Sequence, residues 1–357
     1  MELSLTTILK NEENGIVKML ESVFCKNSPV SQAIIGIDNK STDKTEELVV
    51  SFCKKNNIKS KIIKFDFDGN FGKARNEVIK HVETSHVIVV DGDEYVENGS
   101  FDRLNQLLKQ NPIGLDFITS TMIGHDIASG SQVSSPTMRI FGKDYKYKFR
   151  VHEHPDVPID SNGLHLNNFI VNNIKLPSED KDNSNRIKML LLDIQETNDV
   201  MQMFNLASEY AASGEFENAK HYYELFLDNG GNNNVNYMAR LKIARCLHFM
   251  KLYDDEYKYL RLMMDDFPTR NEHLVQLGIN EMQHKEWFHA INYLTVACNI
   301  SKPNTPEMGF DHYYTWVPWL LLNKIYSHIH FPQGEVETYK IISEHYPEAL
   351  ERIKWKS

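Results

Sequence analysis

The sequence predicts an α/β domain built on a mostly parallel sheet, followed by an all-α domain of helical repeats. Three observations carry this. Short apolar runs alternate with helix-period segments over the amino-terminal part of the 357-residue chain, as in right-handed βαβ units. The run Val87 to Val90 is continuously β-branched, as expected of a strand buried on both faces of a parallel sheet. From about Asn185 the chain turns helical and repeats itself at about 34 residues, the tetratricopeptide period.

Taken in order, Leu3–Leu9 reads as the first strand and is followed by Lys10-Asn11-Glu12-Glu13-Asn14. Ile16, Met19, Leu20, Val23 and Phe24 then recur at helical spacing. Ala33–Ile37 is the second strand and ends in Asp38. Ser41, Thr42 or Asp43 offers an N-cap to a helix over Glu46–Lys55. A third strand spans Lys61–Phe65, and the alternation then reaches the stretch Phe65–Val96, around which the domain is organised. There the Val87–Val90 strand stops abruptly at Asp91-Gly92-Asp93-Glu94. Carboxylates at the carboxyl end of a central strand stand where open α/β sheets bind ligands. As hard oxygen donors they suit Mg²⁺ or Mn²⁺ rather than zinc; Asp and Gly also favour plain solvated turns.

Further on, Phe117–Ile123, Met138–Phe141 and Phe169–Ile174 resemble strands. Tyr145–Arg150 alternates aromatic and basic residues and runs into Val151-His152-Glu153-His154-Pro155. Leu176–Asn185 is polar, contains proline and lacks periodicity, so it reads as a linker. The expected domains are therefore 1–176 and 177–357.

In the second domain, Phe204–Leu227 sets small Ala207, Gly214 and Ala219 among large Leu206, Tyr210, Phe216 and Tyr223, the two-helix repeat pattern. Ala244 aligns with Ala207, and Gly278 with Ala244, at successive offsets of 37 and 34 residues. A fourth, divergent unit spans Tyr314–Glu344, with Gln333-Gly334 interrupting it. Such solenoids present a concave surface to a polypeptide, or a homodimer face. The aromatic run Asp311–Trp319 reads first as core and second as groove lining.

Composition sets outer bounds. With 41% hydrophobic and 25% charged residues the chain can bury substantial cores. No run approaches the ~20 apolar residues of a membrane span, and the amino terminus lacks the basic region and cleavage site of a signal peptide. Cys25, Cys53, Cys246 and Cys298 are scattered, without disulfide or metal-knuckle spacing, and point to a reducing cytoplasm. A net charge of −10 argues against broad nucleic-acid affinity.

The amino half resembles the family 2 glycosyltransferases of GT-A fold. The matching stretches are Thr7-Ile8-Leu9-Lys10-Asn11-Glu12-Glu13, Asp38-x-x-Ser41-x-Asp43-x-Thr45, Lys73-Ala74-Arg75-Asn76, Asp91-x-Asp93-Glu94, and Arg139-x-Phe141 followed by Val151-His152-Glu153. They occur in the family's order and spacing. A catalytic half followed by tetratricopeptide repeats further resembles the sublancin-type peptide S-glycosyltransferases and many phage and bacterial proteins of unassigned acceptor.

The resemblance implies an inverting, metal-dependent transfer from a nucleotide sugar, with a UDP-sugar as the expected donor. Asn11, Glu12, Asp38, Ser41, Asp43, Arg75, Asn76 and Asp91 would bind it, Asp38 holding the nucleobase as an acceptor-only carboxylate. Asp91, Asp93 and His152 would hold Mn²⁺ or Mg²⁺, and Arg75 would contact the phosphates. Glu153 is the expected general base, with Asp93 and Arg75 completing the catalytic set. Glu94, Asp126 and Asp144 remain alternatives for the base. Relatives often carry another His after the last strand of this domain; Val171–Pro177 has none, and His165 lies just before. The first-choice acceptor is a peptide Cys, Ser or Thr bound through the repeats, then a saccharide. A modified base in phage DNA, met by Lys143, Lys146, Lys148 and Arg150, comes third. A non-catalytic scaffold with a degenerate transferase half is the reading of a different class.

Overall fold

The computed structural model describes residues 2–110, 115–125, 132–158, 160–173, 183–230, 233–303 and 311–352. Asp126 and residues 176–182, most of the expected linker, lie outside them. The chain divides into two compact units, residues 1–130 with 134–198, and residues 131–133 with 199–357.

In the first unit, β1 (Leu3–Leu9), β2 (Val30–Asp38), β3 (Lys59–Phe65) and β4 (His86–Val89) alternate with α1 (Ile16–Val23), α2 (Thr45–Lys55) and α3 (Phe71–Ile79). β5 (Glu94–Val96), α4 (Ser100–Gln110), β6 (Phe117–His125), β7 (Gln132–Gly142) and β10 (Gly163–Asn173) complete the main sheet and its cover. Between β7 and β10 lies a small separate hairpin of β8 (Tyr147–Lys148) and β9 (His154–Pro155). The eight main strands run in the order β3-β2-β1-β4-β7-β6-β10-β5. β3, β2, β1 and β4 are parallel neighbours, as are β6 and β10, while β7 against β4 and β5 against β10 are antiparallel.

The expected mostly parallel sheet is therefore present, and its burial explains the sequence pattern. Val87, Val89 and Phe141 pack on one face with Val78 and Ile79 of α3. Ile88 and Val90 pack on the other with Leu3, Leu5, Met19 and Leu20. A strand covered on both sides has no solvent face to fill with polar residues. Because β1, β2 and β4 are parallel, the segments that follow them, beginning at Lys10, Asn39 and Val90, emerge at one edge of the sheet.

One helix, which the sequence reading places in the second domain, groups differently. α5 (Ser184–Thr197), which follows the linker, belongs to the first unit and not to the helical one. Its Met189 lies against Gly69, where an added Cβ would come within 2.8 Å of the methionine Cε.

The second unit consists of helix pairs at the expected positions: α6 (Val200–Ala212) with α7 (Phe216–Asp228), α8 (Asn233–Phe249) with α9 (Tyr253–Asp266), α10 (Glu272–Gln283) with α11 (Trp287–Cys298), and α12 (Val317–His328) with α13 (Pro332–His345). Gly278 shows why the aligned position must be small, since a Cβ there would meet Leu294 of α11 at 2.7 Å. Trp316 of the aromatic run packs with Leu320, Ile342 and Ala349, and Trp319 adjoins them, in line with the core reading.

Candidate active site

The acidic turn after β4 is anchored from below. Glu94 and Arg139 are both buried and form an ion pair at 2.5 Å. The second oxygen of Glu94 accepts the Asp91 backbone N–H at 2.9 Å, and Arg139 also donates to the Val89 carbonyl at 3.4 Å. Glu94, an alternative base in the sequence reading, thus spends its carboxylate on fixing the turn. Asp144, another alternative, is exposed in the turn after β7.

Above this anchor, Arg75 joins two other expected residues. It projects from α3, whose start is capped by the Asn70 side chain accepting the Lys73 N–H at 2.8 Å. Its Nε donates to Glu153 Oε1 at 2.7 Å, and its Nη2 lies 2.9 Å from Asp91 Oδ1. The side chain is only 12% exposed, and its Nη1 is buried with no hydrogen-bond partner among the described residues. Burial opposes the Asp91 charge, but Arg75 and Arg139 outweigh it and hold that carboxyl below its ordinary range. Tyr147, which sequence reasoning missed, lies beside this group with its ring centroid 5.6 Å from the Arg75 guanidinium carbon. Burial pushes its phenol well up, so it stays neutral.

The residues 149–153 form the tip of the β8–β9 hairpin and carry Glu153 and His152. α3 approaches this tip so closely that a Cβ on Gly72 would lie 2.3 Å from the Phe149 carbonyl oxygen. Asn76 binds the hairpin from α3: its amide donates to the Tyr147 carbonyl at 2.9 Å and accepts the Tyr147 N–H at 2.8 Å. That is the hydrogen-bond pattern of a neighbouring strand supplied by one side chain.

A second group ties the loops after β1 and β2 together. Asn11 takes a left-handed backbone (φ 53°), its N–H donates to Ser41 Oγ at 2.9 Å, and its Oδ1 accepts the Thr42 N–H at 2.8 Å. Asp43 accepts the Glu13 N–H at 2.9 Å and the Thr45 hydroxyl at 2.6 Å. The Glu12 N–H donates to Thr45 Oγ1 at 2.7 Å, while its side chain lies against Gly92, within 2.8 Å of where a Cβ would stand. Asp38 is 2% exposed, and its Oδ1 accepts the N–H groups of Lys40 and Phe67 at 3.1 and 3.4 Å. Burial raises its carboxyl, but these donors and the Lys10 ammonium prevail and hold it below the usual range. Asp38 Oδ2 is buried with no hydrogen-bond donor among the described residues and forms an ion pair with Lys10 Nζ at 3.5 Å.

The three expected metal ligands do not converge. Asp93 is half-buried and His152 exposed, and among the described residues no three His, Cys, Asp or Glu side chains are grouped to hold an ion. His165 lies on β10 opposite Thr119, whose hydroxyl is 2.7 Å from its Nδ1. The donor set that remains, carboxylates beside an arginine, suits a hard cation completed by substrate oxygens and water rather than an all-protein cage.

The family model "Glycosyl transferase family 2" matches residues 4–171. The poly(ribitol-phosphate) β-N-acetylglucosaminyltransferase TarS of Staphylococcus aureus is 30% identical over 97 residues, 27% of this chain and 17% of that protein. A poly(ribitol-phosphate) β-glucosyltransferase of Bacillus spizizenii is 28% identical over 112 residues, 31% of this chain and 18% of that one. The match thus spans under a fifth of either relative's length. A crystal structure of S. aureus TarS with UDP-GlcNAc aligns at a TM-score of 0.41 and 16% identity, covering 82% of this chain and 89% of that one. A crystal structure of MamA aligns at a TM-score of 0.39 and 13% identity, covering 48% of this chain and 92% of that one. By its sequence match, the segment 4–171, which holds Arg75, Asp91 and Glu153, belongs to glycosyl transferase family 2.

Proposed function

We propose that the chain transfers a sugar from a UDP-sugar to an acceptor hydroxyl with inversion at the anomeric carbon. The observation that carries this reading is the Arg75 bridge between Asp91, at the end of a central parallel strand, and Glu153 on the hairpin tip. Asp38 would hold the nucleobase, its Oδ2, which accepts no N–H among the described residues and faces only the Lys10 ammonium at 3.5 Å, accepting a ring N–H. Arg75, with a spare buried N–H, would donate to the diphosphate. Glu153 would take the acceptor proton as the acceptor oxygen bonds the anomeric carbon and the bond to the diphosphate breaks. Mn²⁺ or Mg²⁺ held by Asp91 and Asp93 together with diphosphate oxygens would supply charge neutralisation for the leaving group.

For the acceptor, the names of both curated relatives point to a polyol-phosphate polymer carrying free hydroxyls. A peptide acceptor is the second reading, favoured by the helix pairs α6 to α13, since such arrays bind polypeptides. The test is transfer of labelled sugar from a panel of UDP-sugars, with and without Mn²⁺, to poly(ribitol phosphate) and to Cys- and Ser-containing peptides. Labelled polymer supports the first reading and labelled peptide the second. No labelled product with any donor, alongside no donor-induced thermal stabilisation, defeats sugar transfer altogether.

A further inference from the structure

We infer that Asp193 on α5 is a positioning residue for the hairpin that carries Glu153, so that the helix after the linker is part of the catalytic apparatus. This rests on the proposed role of Glu153 and adds to it the means by which that carboxylate is held.

The β8–β9 hairpin cannot hold itself. It has two residue pairs, Tyr147 with Pro155 and Lys148 with His154, and among the described residues it joins no other strand. A two-stranded ribbon of that size has no independent stability in water. Its tip contains two non-glycine residues on left-handed backbone, Phe149 (φ 66°) and His152 (φ 50°), a conformation such residues adopt only when surroundings impose it.

Between those two residues lies Arg150, and Asp193 grips it twice. One carboxylate oxygen accepts the Arg150 backbone N–H at 2.8 Å, and the other accepts from its guanidinium at 2.5 Å. Glu196, one helical turn on, accepts from the second guanidinium nitrogen at 2.7 Å. The Arg150 carbonyl in turn accepts the Phe71 N–H at 2.8 Å, at the first residue of α3. Arg150 is thus held between α5 and α3. Asp193 is 2% exposed, where the grip is shielded from water and salt, whereas Glu196 is exposed and adds little. Val151 is buried beside it, and two residues further Glu153 meets Arg75. Releasing Asp193 frees the backbone that aims Glu153 while leaving the Asp38 loop intact.

The experiment compares full-length wild type, Asp193→Ala and Asp193→Asn by amide hydrogen exchange and by steady-state transfer. Asp193→Ala is expected to speed exchange across residues 147–155 at least tenfold, with residues 30–65 unchanged. Its kcat should fall at least tenfold while the donor KM stays within about twofold, because misplacing a reacting group costs rate more than binding. Asp193→Asn should recover part of both effects, since its amide oxygen still accepts the Arg150 N–H. Unchanged exchange over 147–155, faster exchange spread over the whole first unit, or faster hairpin exchange with wild-type kcat would each overturn the assignment. If wild type transfers nothing from any donor, the transferase reading fails by itself, and the exchange comparison still decides whether Asp193 holds the hairpin.

Discussion

Arg75 and Glu153 lie 78 residues apart in sequence and meet at 2.7 Å, with the same guanidinium reaching Asp91 on its other side. One planar, permanently charged group therefore sets the spacing between the acidic turn and the hairpin carboxylate. Lysine could supply the charge but not the fork. Arg75→Lys is expected to lower kcat by roughly 10²–10³-fold, the usual cost of losing one preorganised donor. The steady-state rate at saturating donor checks it. A rate within a few fold of wild type would mean that charge alone suffices and that the fork geometry is incidental.

Glu153→Gln keeps the shape and an acceptor for Arg75 Nε but cannot take a proton. Donor-induced thermal stabilisation should be retained while the chemical rate drops by ~10²–10⁴-fold. Single-turnover kinetics separates the two readouts. An unchanged rate would move the base away from Glu153, and Asp144 would be tested next.

The buried pair beneath the site predicts stability. Arg139→Met leaves Glu94, whose carboxyl burial already raises, buried without its cation, so that it must stay ionised unpaired or take up a proton, a change that costs about 3–5 kcal/mol for pairs of this kind. The double variant Glu94→Gln with Arg139→Met removes the stranded charge and still accepts the Asp91 N–H, so it should be more stable than Arg139→Met alone. Urea unfolding followed by a probe in the first unit measures the order. The reverse order would show that Glu94 tolerates the loss of Arg139.

Much of this architecture was legible in the chain, and the reasons are local. Val87–Val90 is β-branched throughout because both faces of its strand are covered, and Ala207, Ala244 and Gly278 recur because helix pairs need small residues at closest approach. Arg75, Asp91 and Glu153 stood out individually through their motifs, but nothing in the spacing foretold that one arginine joins the other two. Asn76 illustrates the harder kind of residue. Read as a donor-binding position, it is engaged with both backbone groups of Tyr147. The β8 and β9 strands, two residues each, are too short to show a period. Among the contacts that join α5 to the first unit is the ion pair of Arg150 and Asp193, 43 residues apart and with no sequence signature.

The second unit carries its own pH prediction. His273 on α10 is 1% exposed, with the Tyr237 hydroxyl 3.3 Å from its Nδ1. Burial pushes the imidazole down to about 4; neighbouring Glu272 pulls the other way, and Arg270 reinforces the drop. Unfolded, the same ring titrates near ~6.5. Between those values the unfolded chain binds the proton and the folded chain does not, so stability rises with pH across that window. The contribution is complete above the unfolded value and is lost as pH falls toward 4, amounting to about 3 kcal/mol. Glu272, whose carboxyl is held low against its own burial by Arg270 and Tyr314, adds a further loss at lower pH, and that loss remains when His273 is replaced. Thermal unfolding of the repeats should therefore shift downward between pH 6.5 and 4 in wild type and much less in His273→Gln. Equal shifts in the two proteins would place the acid sensitivity of the repeats outside this histidine.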